Sequence, residues 1–117
     1  MDSQQLKALA VEAVENLKAE DVEVLDVRDR TSMTDYMVIA SARSNRHVRS
    51  IAESLVTEIK HKADVGSPVV EGGETSDWVL VDLGDVVVHL MLPATREFYD
   101  LERFWRDAPS LGAASTD

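Results

Sequence analysis

The sequence predicts a single α/β domain, a five-stranded sheet with few helices, and three observations support this. Stretches with apolar residues three and four apart alternate with short runs rich in β-branched residues, in the order α-β-β-α-β-β-β-α. At 117 residues one hydrophobic core is expected, and such a chain buries roughly two-thirds of its unfolded surface without disulfides or metals. No repeat or linker divides it, so residues 1–107 are expected to form the domain and 108–117 a flexible tail.

Residues 3–19 read as the first helix. Leu6, Leu9, Ala10, Ala13 and Leu17 recur at spacings of three and four, and Ser3 is the expected N-cap. DVEVLDV (21–27) reads as a strand, stopped by the polar RDRTS stretch. TDYMVIAS (34–41) is a second strand, with Tyr36, Val38 and Ala40 on one face and Met37 and Ile39 on the other. Apolar groups on both faces mark a central, covered strand. Ser44 then caps a helix over roughly 45–62, whose buried stripe is Val48, Ile51, Ala52, Leu55 and Ile59. Gly66 and Pro68 end this unit, and SPVVEGGETSD holds a short strand at most.

WVLVDL and VVVHLML flank Gly84–Asp85 and predict a tight hairpin, because Gly84 supplies the positive φ of a short turn. Pro93 ends the strand, and Thr95 is expected to cap a last helix reaching about Asp107. This order leaves a packing conflict. The 34–41 and 86–92 strands are apolar on both faces, yet two long helices properly cover only one face of a five-stranded sheet. Apolar surface should remain for the last helix, a second copy or a foreign partner, and a patch beyond a few hundred Å² usually marks an interaction site.

Composition narrows the function classes. Cysteine is absent, which excludes thiol nucleophiles, zinc fingers, iron–sulfur ligation and disulfides, and fits a reducing cytosol. MDSQQLKALA lacks the basic start and apolar run of a signal peptide, and no apolar stretch approaches a membrane span, so a soluble protein is expected. Twelve Lys plus Arg against 22 Asp plus Glu gives 12 − 22 = −10. Such a field repels nucleic-acid backbones and suits a basic protein partner. Acidity also maintains solubility, and composition alone does not separate the two.

No catalytic constellation assembles. His47, His61 and His89 lie on separate elements without metal-ligand spacing, and no serine sits in a nucleophile elbow. His89 reads as a packing or interface residue, His47 as a first-turn residue, and His61 as a cation near a helix C-terminus. Asp82 and Asp85 could pair on a divalent metal, but a hairpin turn uses Asp and Gly for backbone reasons. Gly72–Gly73 matches no phosphate-binding pattern. Arg43, Arg46 and Arg49, around a helix N-terminus, read as a solvated basic edge before a phosphate site. Neither a cofactor nor a metal is expected.

The aromatic residues are few, two each of Phe, Trp and Tyr, and Phe98, Tyr99, Phe104 and Trp105 all fall in the last helix. Phe98, Leu101 and Trp105 share one stripe and should form its core seam. Tyr99, turned about 100° from Phe98, is the better exposed contact. Trp78 opens the hairpin beside a polar loop, and Leu83 sits at the turn. Together with Tyr99 they could form one contiguous exposed patch.

TDYMVIASARSNRHVRSIAESL, WVLVDLGDVVVHLM and REFYDLERFW, in that order, resemble the ribosomal silencing factor family, also called RsfS or Iojap. The resemblance spans residues 4–107. It implies a mixed five-stranded sheet with flanking helices, similar to the nucleotidyltransferase fold without its catalytic carboxylate signature. It implies a cytoplasmic, non-enzymatic protein that binds the large ribosomal subunit through the ribosomal protein conventionally numbered fourteen. Docked there, such factors block small-subunit joining and repress translation when nutrients are scarce; free, they tend to form homodimers. By motif position Trp78, Leu83 and Tyr99 match the family's partner-contacting residues. Tyr36 and Met37 fall where the family varies in polarity, and the tail after Asp107 has no counterpart there. Two rival readings are a purely structural homodimer and a relic nucleotidyltransferase acting through Asp82 or Asp85.

Overall fold

A computed structural model describes residues 1–72 and 77–111. The first helix, α1 (Ser3–Asn16), is capped by Asp2 and not by Ser3. The Asp2 carboxylate accepts the Gln5 N–H at 2.8 Å and the Gln5 side chain accepts the Asp2 N–H at 3.0 Å, so two otherwise orphaned donors are satisfied reciprocally. The helix stops short of the expected residue 19. Lys18 takes a left-handed φ of 67°, its N–H donates to the Glu15 carbonyl, and the Ala19 N–H donates back to Val14. That is a Schellman closure with lysine where glycine is usual.

Strand β1 (Glu20–Asp26) pairs antiparallel with β2 (Tyr36–Ser41), with a bulge between Glu20 and Glu23. Helix α2 (Asn45–Lys62) carries the expected cap, the Ser44 hydroxyl accepting the His47 N–H at 3.1 Å. A short β3 (Val69–Glu71) follows, then β4 (Trp78–Asp82) and β5 (Val86–Met91). Gly84, at φ 90°, turns the hairpin between these last two, and its N–H donates to Asp82 Oδ1 at 2.8 Å. The strands run in the order β1-β2-β5-β4-β3, with β2 and β5 parallel and the other neighbours antiparallel. The sheet is therefore mixed, as expected.

Both long helices cover the same face. Leu6, Ala10, Ala13 and Val14 of α1 and the full predicted stripe of α2 pack onto Tyr36, Val38 and Ala40. Met37 and Ile39 point the other way, into a smaller cluster with Val27 and Met91. The second face is covered only in part, which resolves the packing conflict as the sequence suggested.

The expected single last helix is two. α3 (Pro93–Tyr99) and α4 (Leu101–Asp107) meet at Asp100, whose φ of 48° breaks the helical ladder. Pro93 stands at the start of α3, where a missing N–H costs nothing. Thr95 does not cap it; its buried hydroxyl donates instead to the Asp77 carboxylate. The break also re-aims the predicted seam. Leu101 and Trp105 pack against the second cluster, but Phe98 is 80% exposed. An ion-pair network holds the joint: Arg96 pairs with Glu102 at 3.1 Å, donates to the Ser41 hydroxyl at 2.9 Å, and lies near Glu23, which also binds Arg106. Residues 108–111, expected to begin a flexible tail, are tied to the β1–β2 loop. Arg30 donates to the Ala108 carbonyl and the Leu111 N–H to that of Asp29. Residues 112–117 lie outside the described residues.

Candidate partner-binding surface

The period of two along β4 sorts its side chains. Val79 and Val81 enter the helix-side core, while Trp78, Leu80 and Asp82 face the opposite way. Leu83 continues the inward parity. Its N–H donates to the Val86 carbonyl at 2.9 Å, so it still belongs to the hairpin ladder, and it is only 4% exposed within the main core. The expected patch of three exposed residues is corrected on this point: Leu83 lies inside, on the other face of the sheet from Trp78.

Trp78 and Tyr99 do come together. Their ring centroids are 4.8 Å apart at 49°, and Phe98 meets Tyr99 edge-on at 5.0 Å. Tyr99 is 51% exposed and Trp78 is partly buried. The left-handed Asp100 ends α3 immediately after this pair, so Phe98 and Tyr99 stand at the free end of a short helix. The three rings make an aromatic corner on the thinly covered face of the sheet.

His89 props that corner from behind. The Trp78 indole N–H donates to His89 Nδ1 at 3.0 Å. Indole is a donor only, so Nδ1 must present its lone pair and the neutral ring carries its proton on Nε2. Burial alone pushes the His89 pKa down to about 4, since a charged imidazolium would lose hydration. A packing or interface role for His89 was expected from the sequence, but its link to the tryptophan was not. Counting back from the Gly84 turn would have found it: Leu80 opposes His89, and Trp78 is the next residue along that face.

The remaining candidates resolve into structural roles. His47 is more than a first-turn residue: Nδ1 accepts the Arg43 N–H at 2.9 Å and Nε2 lies 2.7 Å from the Leu17 carbonyl oxygen, joining the end of α1 to the start of α2. His61 stands with Lys60 and Lys62 in the last turn of α2, where cations suit the dipole. Arg43 faces Glu20 at 3.6 Å. Gly72 is needed because a Cβ there would meet the Trp78 carbonyl oxygen at 2.8 Å; Gly73 lies outside the described residues. Among the described residues no group of three or more His, Cys, Asp or Glu could hold a metal, and no helix is long and apolar enough to cross a membrane.

The geometry thus gathers Trp78, Phe98 and Tyr99 into one aromatic group with Tyr99 and Phe98 exposed. The family model for "ribosomal silencing factor during starvation" matches residues 1–117. The chain belongs to the ribosomal silencing factor family. A silencing factor of this family from Chromobacterium violaceum is 45% identical over 105 residues, covering 90% of this chain and 85% of that protein. A crystal structure of a protein from the same organism matches with a TM-score of 0.85 at 42% identity, covering 93% of this chain and 90% of that one. The mouse protein named for mitochondrial assembly of the ribosomal large subunit is 44% identical over 89 residues, which cover 74% of this chain and 39% of the mouse protein. The ribosomal silencing factor family is named for regulation, not for a catalysed reaction, and its names point to the ribosome as partner.

Proposed function

We propose that the chain binds the large ribosomal subunit through the ribosomal protein conventionally numbered fourteen, and that its bulk there blocks small-subunit joining and lowers translation. Membership of the silencing family supports the ribosomal partner. The observation that supports the site is the aromatic corner, where the partly buried Trp78 meets the exposed Tyr99 at a tilt, with Phe98 beside them. Leu83 has a different part in this reading. Buried behind β4, it holds the hairpin from the core side and touches no partner.

Full burial of a tryptophan removes about 150–250 Å² from water, or about 4–6 kcal/mol gross at about 25 cal/mol per Å². Trp78 is already partly buried and docking has its own costs, so truncation should cost about 2 kcal/mol. The net charge of −10 would speed encounter with a basic ribosomal protein, an effect that weakens as salt rises. Free of the ribosome, two copies of the chain would associate as a homodimer. A ribosomal partner is consistent with a protein that works in the cytoplasm. The test is the affinity of Trp78→Ala and Tyr99→Ala for purified large subunits. Loss in both, with folding intact, supports the site, and wild-type affinity in both ends it.

A further inference from the structure

Next to the aromatic corner, the uncovered half of the sheet forms a cleft of about 310 Å³. Leu80, Val87 and His89 line it from the sheet, and Met33, Leu101 and Trp105 stand around them. Met33 is 87% exposed, unusual for a methionine and apt for a surface that adapts to a partner. Two polar side chains in this lining, Thr34 and His89, are each more than nine-tenths buried. His89 gives its Nδ1 to Trp78, which places the proton of the neutral ring on Nε2. The Thr34 hydroxyl has no hydrogen-bond partner among the described residues. A buried donor without an acceptor is costly unless something supplies one. Glu71 and Asp82 add carboxylates at the β3–β4 end of the lining.

We infer that this cleft receives an apolar side chain from a basic segment of the docking partner, with the Thr34 hydroxyl donating to a carbonyl oxygen of that segment. The inference rests on the proposed ribosomal docking and deepens it, since His89 belongs to both the cleft and the aromatic corner. Charge selects the occupant. Lys or Arg beside the inserted side chain would meet Glu71 and Asp82, whereas a second copy of this chain, at −10, would bring a like charge.

Two substitutions test the cleft without touching the helix-side core. Val87→Phe fills it from the sheet floor, and Glu71→Lys reverses the charge at its exposed end. With purified large subunits as the probe, Val87→Phe is expected to weaken binding at least tenfold with unchanged circular dichroism. Glu71→Lys is expected to weaken it at low salt and to approach wild type at high salt. Wild-type affinity for Val87→Phe, alongside loss in Trp78→Ala, overturns the cleft and leaves the docking surface standing. Wild-type affinity in Trp78→Ala and Tyr99→Ala as well removes both. If Val87→Phe instead abolishes only self-association in analytical ultracentrifugation, the occupant is a second copy, which also contradicts the inference.

Discussion

At the scale of single residues, His89 does two things, and each has a measurable consequence. Its burial and its bond from Trp78 both require the neutral ring. The folded pKa of about 4 lies below the ordinary value of 6.5, so the unfolded chain takes up the proton first. Stability is therefore full above about pH 6.5 and is lost as pH falls towards the folded value, by about 2 kcal/mol at pH 5. Urea unfolding at pH 7.5 and pH 5 should show this loss, and His89→Phe should flatten it over the same window. Asp26, held below the usual carboxylate range by its hydrogen bonds from Arg28, contributes only at more acid pH. An undiminished pH dependence in His89→Phe would assign the effect to another group.

At the scale of elements, two joints are open to test. The first is the end of α1, where Lys18 occupies a left-handed position that favours glycine. Lys18→Gly should relieve that strain and raise stability by about 1 kcal/mol, read as a higher urea midpoint with unchanged slope. The second is the α3–α4 break. Arg96 is nearly sealed and pairs with the equally enclosed Glu102, so Arg96→Ala strands a buried carboxylate. The expected cost is about 3 kcal/mol. Because the same network keeps α4 on the sheet, the fluorescence of Trp105 should shift towards that of a solvated indole before the main transition. A simple two-state loss with native-like emission would show that α4 docks without Arg96.

At the scale of the whole molecule, what the sequence revealed follows from how local each cause is. The α2 stripe was legible to the residue, because burial there tracks a period of 3.6 and the Ser44 cap lies within one turn. The two faces of Tyr36–Ser41 were equally plain from alternation. The split after Tyr99 was not, since a left-handed aspartate leaves no periodic trace and the groups that stabilise it, Ser41 and Glu23, lie on distant strands. Leu83 was misplaced for a related reason: whether a residue beside a turn faces in or out depends on register, and one step changes the face. The Trp78–Tyr99 meeting was anticipated because both elements adjoin the same strand, β5. The central claim is that this aromatic corner docks the protein on the large subunit and keeps the small subunit away. A subunit-joining assay by light scattering, with wild type and Trp78→Ala added to separated subunits, tests it most directly. Wild type should suppress joining and the variant should not. Equal suppression by both, or none by wild type, would contradict the account.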